Sequence, residues 1–263
     1  MSWLLKFFYS SIGRKLIMSL TGLFLCTFLI VHLIGNSQLF YADQGLAFNK
    51  YAVFMTSNPL IEIVSYGLYF FILLHTADGL LLAYRNRKAR PVGYAKFNNS
   101  SRWESRNMAI LGTIILVFLV VHMSRFWYQY RFGYVPYKKY VENIQTGQMV
   151  STQAMAESYA VKRRIVEDLD ETTGHKITIV RDLYKEVEVA FQNLPLVLLY
   201  VVSMVALGYH LVHGFQSGFQ TLGLNHPKYN PLIRWVGVGL FGVLIPAVFL
   251  AMPIYFYVKG LGT

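Results

Sequence analysis

The chain has 263 residues, of which 55% are hydrophobic and 14% are charged, and its formal net charge is +11. Soluble domains carry nearer a quarter charged residues, so this composition excludes an ordinary soluble domain and indicates a membrane protein. The basic excess is concentrated near the N-terminus and at 85–106, with no base-reading or base-stacking pattern beside it. We therefore predict no nucleic-acid partner.

Long apolar runs divide the chain into segments of membrane-spanning length. Four of them lack Asp, Glu, Lys and Arg altogether, and the second contains the lone acid Asp78. A helix needs roughly 20 mostly apolar residues to cross a bilayer. We predict an all-α fold, an integral membrane bundle that forms a single domain over 1–263. Its five transmembrane helices are expected at about 14–36, 60–84, 107–130, 191–217 and 232–258.

The distribution of basic residues predicts the topology. The N-terminus is basic and seven bases with one acid lie at 85–106, whereas the connection between helices one and two holds only Asp43 and Lys50. By the positive-inside rule, the N-terminus and the second connection are cytoplasmic and the first connection is external. Nine of the thirteen acids lie at 131–188, where nine bases balance them. We predict that 131–190 is an external, partly helical insertion between helices three and four.

Histidines recur inside the predicted helices, where an ionisable side chain usually has a function. Five of the seven histidines lie there, and they are His32, His75, His122, His210 and His213. The fixed rise per residue of an α-helix gives the depth of each histidine. His32 and His122 lie about 27 and 24 Å beyond the inner ends of helices one and three. His75 and His210 lie about 24 and 23 Å below the outer ends of helices two and four. The sequence therefore predicts an outer pair, His32 with His122, and an inner pair, His75 with His210.

Two facing imidazoles in an apolar bundle are typical of haem ligation. Zinc favours about four ligands with sulfur or carboxylate among them, and no such set stands at either depth. A proton relay would need interleaved acids, and only Asp78 lies deep in a helix. Haem iron takes two axial ligands in an apolar slot, which helix bundles supply. We predict two bis-histidine b-type haems, bound without covalent attachment because Cys26 is the only cysteine.

A repeat distinguishes the two histidines of helix four. Helices two and four contain "LHTADGLLLAY" and "YHLVHGFQSGF", and both follow the pattern His-x-x-polar-Gly. The aligned residues are His75 with His210, Asp78 with His213, and Gly79 with Gly214. A glycine four residues on shares the histidine's face and leaves room for a macrocycle. The repeat favours His210 as the ligand and His213 as a group that supports propionates or water, with an exchange of the two roles as the alternative.

Four segments resemble the cytochrome b membrane-anchor subunit of succinate dehydrogenases and fumarate reductases, of the single-chain, five-helix, two-haem type. They are "SSIGRKLIMSLTGLFLCTFLIVHLIGN", "LLHTADGLLLAYR", "VHMSRF" and "YHLVHGFQSGFQTLGLNHPKY". The resemblance implies haem ligation by His32, His75, His122 and His210. Some relatives carry an intramembrane glutamate just before the helix-four ligand. Gly208 and Tyr209 stand there in this chain, which puts transmembrane proton coupling in doubt.

The same resemblance implies partners and a substrate. It implies a flavoprotein subunit and an iron–sulfur subunit docked on the cytoplasmic side of a bacterial cytoplasmic (inner) membrane. The dicarboxylate site would lie on another subunit, and this chain would carry electrons between the iron–sulfur subunit and a quinone, menaquinone. Other membrane oxidoreductases, such as a hydrogenase or a formate dehydrogenase, also use cytochrome b subunits and are one alternative. A cofactor-free transporter that binds substrate through its histidines is another.

Two further side chains are candidates at the predicted outer end. Arg125 follows His122 by one turn and is expected either to pair with an outer haem propionate or to extend to the interface. Glu62 begins helix two and is a candidate for proton exchange with quinone beside the outer haem. A solvated carboxylate favoured by the positive helix N-terminus is the alternative for Glu62.

Overall fold

The computed structural model describes residues 6, 7, 9–89, 102–155 and 165–262. Two predicted features lie partly outside these residues. The predicted basic cytoplasmic connection is not described at 90–101, and the predicted insertion between helices three and four is not described at 156–164.

Within the described part of the chain, five helices are long and apolar enough to cross a membrane, as expected of a membrane protein. These spans, numbered one to five in chain order, are Ser11–Phe40, Pro59–Ala89, Met108–Phe132, Leu194–Thr221 and Asn230–Leu261. Their number agrees with the sequence prediction. Individual ends differ from the predicted bounds by a few residues, because the helices continue into or stop short of their polar flanks.

The helical elements have the following bounds in the described chain. The α-helices are α1 Ser11–Ser37, α2 Leu46–Ser57, α3 Pro59–Ala89, α4 Trp103–Arg106, α5 Met108–His122, α6 Gln129–Phe132, α7 Leu183–Ala190, α8 Leu194–Thr221, α9 Asn230–Trp235 and α10 Ile245–Leu261. Span one ends in a 3-10 turn, and spans three and five each contain a π-helical segment, Met123–Tyr128 and Val236–Leu244. Such π-helical turns frequently occur at functional positions.

Asparagine caps define where spans two and four begin. The side-chain oxygen of Asn58 accepts a hydrogen bond from the backbone N–H of Leu60 at 3.0 Å. Asn193 accepts one from the backbone N–H of Leu196 in the same way, also at 3.0 Å. Each cap satisfies a backbone donor that the first helical turn leaves unpaired. The cap of span two consequently places Glu62 in the first turn of that helix.

The contacts divide the chain into two compact units. Unit one consists of Met1–Leu33, Ser65–Val120 and Leu198–Pro253, and unit two of Ile34–Val64, Val121–Val197 and Ile254–Thr263. One buried apolar cluster of unit one comes from spans one, four and five, and its side chains are Cys26, Met204, Leu207, Leu211, Phe215, Phe241 and Ile245. This apolar packing fixes the rotation of span four within unit one.

Unit two contains an antiparallel sheet, with four strands in the described part of the chain. The strands are β1 Tyr137–Asn143, β2 Met149–Ala154, β3 Ile165–Asp170 and β4 His175–Arg181, in the order β2-β1-β4-β3. Gly147 and Gly174 lie in the two tight turns at φ +66° and +67°, a region that suits glycine. The prediction of an all-α fold is therefore wrong for this segment. In the described part of the predicted insertion, α7 and the end of span three are helical.

The sheet forms because alternate side chains of β1 and β4 are buried under α2. Tyr140 lies opposite Thr178 in the register of the two strands, and Thr178 and Val180 are fully buried with it. Leu46 and Val53 of α2 cover this face. Period-two burial of aromatic and β-branched side chains stabilises a strand rather than a helix.

Asn49 of α2 connects the helix, the sheet and α7. Its side chain is fully buried, and its amide nitrogen donates to the hydroxyl of Tyr140 at 3.0 Å and to the carboxylate of Asp182 at 2.9 Å. Its amide oxygen accepts from the backbone N–H of Tyr184 at 2.9 Å. Burial, followed by the nearby Asp182 carboxylate, raises the pKa of Tyr140 above its usual value. The hydroxyl of Tyr140 therefore stays protonated and holds α2 against the sheet.

Candidate functional site

The rings of His75 and His210 face each other inside unit one. His75 lies on span two and His210 on span four, their ring centroids are 6.2 Å apart, and the ring planes are inclined by 69°. The Nδ1 atom of His210 is buried and has no hydrogen-bond partner within the described part of the chain. The structure thus brings together the two histidines of the predicted inner pair.

Thr21 of span one contacts the ring of His75. Its hydroxyl oxygen lies 3.0 Å from Nδ1 of His75 and 2.8 Å from the backbone carbonyl oxygen of Ile17. The Thr21 side chain is almost completely buried. This contact was not predicted from the sequence, because the two residues lie 54 positions apart.

Glycines flank both rings. A Cβ added at Gly22 would lie 3.3 Å from Cε1 of His75, and one added at Gly112 would lie 3.9 Å from Cε1 of His210. Neither glycine is among the predicted site residues. The predicted site glycines are Gly79 and Gly214. A Cβ added at Gly79 would lie 3.7 Å from the terminal methyl of Met18, and one added at Gly214 would meet no described atom within 4 Å. Gly214 therefore borders open space.

Asp78 forms a buried ion pair with Arg14 in unit one. The guanidinium nitrogen of Arg14 lies 3.1 Å from a carboxylate oxygen of Asp78, and both side chains are about 10% exposed. In the described chain, Nε of Arg14 and the second carboxylate oxygen of Asp78 are buried without a partner. Since an unpaired buried polar atom costs free energy, both atoms are available to a further polar group. A partner for Asp78 was not predicted.

His213 lies in a different environment from His210. It lies within electrostatic range of Glu104 and Arg102, which themselves form an ion pair with a separation of 3.6 Å at α4, just before span three. His210, one turn earlier in span four, lies beside His75. The assignment of the ligand role to His210 and of the supporting role to His213 stays a sequence-based prediction.

The two histidines of the predicted outer pair belong to different units, and each is described within its own. In unit one, the ring of His32 stacks on Phe28 at 5.1 Å and lies 5.6 Å from Phe249. In unit two, His122 lies 5.6 Å from Phe126 and ends the α-helical part of span three. The π-helical segment that follows His122 contains Arg125. Pairing of His32 with His122 stays a sequence-based prediction.

Glu62 forms an ion pair with Arg131 in unit two. The carboxylate belongs to the first turn of span two and the guanidinium to the end of span three, and their side chains are 39% and 26% exposed. Glu62 is therefore a partly solvated, paired carboxylate at a helix N-terminus. Arg131 was not predicted as its partner.

The side chains in unit one suit a ligand held between two imidazoles. Among the described residues, no three His, Cys, Asp or Glu side chains converge as a candidate site for a single metal ion. The neighbouring rings of His75 and His210, with a glycine beside each, are two imidazoles that could hold one ligand between them. Comparisons of the chain with models of known families, with curated proteins and with solved structures found no match.

Proposed function

We propose that this chain is the di-haem cytochrome b anchor subunit of a succinate:quinone oxidoreductase, a succinate dehydrogenase or fumarate reductase. The observation that carries the proposal is the approach of His75 and His210 to 6.2 Å between ring centroids within unit one. The resemblance of the spans to such subunits supplies the reaction, and the geometry of the inner pair supports the cofactor.

The separation of the two rings fits one metal ion held between them. Metal–imidazole bonds are roughly 2.0–2.1 Å long, and a ring centroid lies about 1 Å beyond the bonding nitrogen, so two rings on one ion place their centroids roughly 6 Å apart. The distance of 6.2 Å agrees with this arrangement. The open space beside Gly214 and the small surfaces of Gly22 and Gly112 suit a flat macrocycle.

His75 and His210 would hold the inner haem iron, and His32 and His122 would hold an outer one. The outer assignment rests on the depth of these residues in the sequence. A bound haem supplies a one-electron carrier. The chain's own contribution would be to bind and orient the group and to exclude water from it, through the apolar cluster that includes Leu207 and Leu211, which lie beside His210 on span four. Of the two unpaired atoms in the same unit, the Nε–H of Arg14 would donate to an anionic substituent such as a propionate, whereas the carboxylate oxygen of Asp78 would accept only from a donor.

The remaining parts of the proposal concern partners and orientation. A flavoprotein subunit and an iron–sulfur subunit would dock on the cytoplasmic side of a bacterial inner membrane, where the basic connection between spans two and three lies. Menaquinone would bind in the outer half, near Glu62, whose carboxylate is half-solvated and able to exchange protons with water. Electrons would then pass between the soluble subunits and the quinone by way of this chain.

An optical spectrum tests the proposal. The full-length chain is purified in detergent with its co-purifying subunits, and its haem content and reduced-minus-oxidised spectrum are measured. We expect b-type bands and two haems per chain, and one haem per chain in His75→Ala. A matched control is His226→Ala, which changes an exposed histidine of the connection between spans four and five and should keep both haems. A wild-type chain without b-type bands would overturn the proposal and favour a cofactor-free transporter.

A further inference from the structure

Thr21 is the one hydroxyl in the described chain with a hydrogen-bond contact to an imidazole of the inner pair. We infer that Thr21 is a positioning residue that fixes the tautomer and orientation of His75 and makes it the stronger of the two axial ligands of the inner haem. The inference rests on the proposed function, because it concerns how one proposed ligand is held.

The protons around Thr21 determine the direction of the hydrogen bond. The hydroxyl oxygen lies 2.8 Å from the carbonyl oxygen of Ile17, 3.2 Å from that of Met18 and 3.0 Å from Nδ1 of His75. A hydroxyl has one proton to donate, and a carbonyl oxygen can only accept. Helical threonines commonly donate that proton to the carbonyl one turn earlier. The hydroxyl oxygen of Thr21 is thus left as an acceptor, and Nδ1–H of His75 donates to it.

This direction leaves the other ring nitrogen free for a metal. A neutral imidazole carries one proton, so protonation of Nδ1 leaves Nε2 with its lone pair. Thr21 is 3% exposed, so water does not compete for the contact. Gly22, the next residue, lies against the same ring, since its added Cβ would be 3.3 Å from Cε1 and 3.8 Å from Nδ1 of His75. The hydroxyl and the glycine backbone together hold the ring in one orientation.

His210 lacks a corresponding acceptor in the described chain, because its Nδ1 is buried without a partner. A metal-bound histidine that donates its second N–H to an acceptor is a more basic ligand, and loss of such an acceptor typically weakens metal binding 10- to 100-fold. The inner pair is therefore asymmetric. His75, supported by Thr21, should stabilise ferric over ferrous iron more strongly than His210 does.

Variants of Thr21 test this assignment in the full-length chain purified with its co-purifying subunits. Thr21→Val removes the acceptor, and Thr21→Ser keeps it. The matched control is Thr113→Val, because Thr113 makes the same bond to a carbonyl one turn earlier, that of Ala109 at 2.8 Å, on an exposed face of span three. The readouts are the number of haems per chain and the midpoint potentials of the two haems, measured by potentiometric titration.

In Thr21→Val, the midpoint potential of one haem should rise by about 59 mV. For a one-electron couple, this rise corresponds to a tenfold loss in the stabilisation of ferric over ferrous iron. Thr21→Ser and Thr113→Val should titrate as the wild type does. Complete loss of one haem in Thr21→Val, with both retained in Thr21→Ser and Thr113→Val, would equally uphold the requirement for the hydroxyl.

Two outcomes overturn the role of Thr21 while leaving haem binding intact. One is an unshifted titration in Thr21→Val, and the other is a shift or loss of haem in Thr21→Ser as large as in Thr21→Val. A wild-type chain without b-type bands is a separate result. It overturns the proposed function, and the assignment of Thr21 with it.

Discussion

Gly208 and Gly242 bring spans four and five into backbone contact in unit one. A Cβ added at Gly208 would lie 2.6 Å from the carbonyl oxygen of Gly242, closer than real Cβ atoms approach such an atom. Small residues at helix crossings allow this close packing in membrane bundles. The backbone of span five thus occupies the space that a side chain at position 208 would need.

Gly208→Ala should therefore destabilise unit one, because the added methyl forces the two spans apart. Overpacking of this kind costs about 1–3 kcal/mol. The measurement is the midpoint temperature of unfolding of the purified chain in detergent. The control is Gly239→Ala on span five, where an added Cβ would meet no described atom within 4 Å. Equal midpoints for the two variants would contradict the packing role of Gly208.

His210 and His213 should respond differently to replacement by alanine. The ring of His210 lies 6.2 Å from that of His75, whereas His213 lies within electrostatic range of Glu104 and Arg102 at α4. His210→Ala should remove the inner haem, and His213→Ala should keep both haems with at most a shifted potential. The haem content of each purified variant is the measurement. Loss of a haem in His213→Ala, with both kept in His210→Ala, would exchange the two roles.

Glu62→Gln should suppress quinone-linked turnover while both haems and the dehydrogenase activity with a soluble dye are retained. The amide cannot exchange a proton in place of the carboxylate, and it also gives up the charge-assisted bond to Arg131. The matched control is Glu171→Gln, which changes an exposed acid in the turn between β3 and β4. Normal quinone turnover in Glu62→Gln would remove Glu62 from the quinone site.

Asn49→Ala should loosen the sheet from α2, because it removes the hydrogen bonds to Tyr140 and Asp182 and leaves the buried backbone N–H of Tyr184 without its acceptor. Each unsatisfied buried group costs about 1–3 kcal/mol. The expected result is faster cleavage of the sheet segment by added protease.

The neighbouring Lys50→Ala is the control for Asn49→Ala. It removes only an exposed ion pair with Glu167, and such pairs contribute at most about 1 kcal/mol. The hydrogen bond from Lys50 lowers the pKa of Glu167, so this small contribution is present at neutral pH and is lost as the pH falls through the carboxyl range. Equal rates of cleavage in the two variants would contradict the role of Asn49.

The spans were predictable because each is a long, nearly charge-free run, and because the asparagines at 58 and 193 cap two of them. Counting residues along helices two and four, which are predicted to run in the same direction, also places His75 and His210 at one level, and their rings lie 6.2 Å apart. Their role as haem ligands stays a prediction. The counting uses only the fixed rise of a helix, so it needs no knowledge of side-chain packing.

The sheet and the partners of the inner histidine were not predicted, for two different reasons. The stretch "DETTGHKITIV" carries a local signal, since a glycine-containing turn precedes an alternation of β-branched residues. The prediction of a partly helical insertion accounts for α7 but misses the four strands. No local pattern relates Thr21 to His75 or Arg14 to Asp78, which lie 54 and 64 residues apart.

The contact between Asn49 and Tyr140 has a consequence for the biosynthesis of the protein. It requires the connection between spans one and two and the segment after span three to end on the same side of a bilayer. Asn49 is synthesised 91 residues before Tyr140, so at 5–20 residues per second α2 waits roughly 5–18 s for its partner. During that interval the apolar side chains of Leu46 and Val53 are uncovered. Because the headgroup region of a bilayer accepts helices with an apolar face, we expect α2 to rest there until the sheet is synthesised.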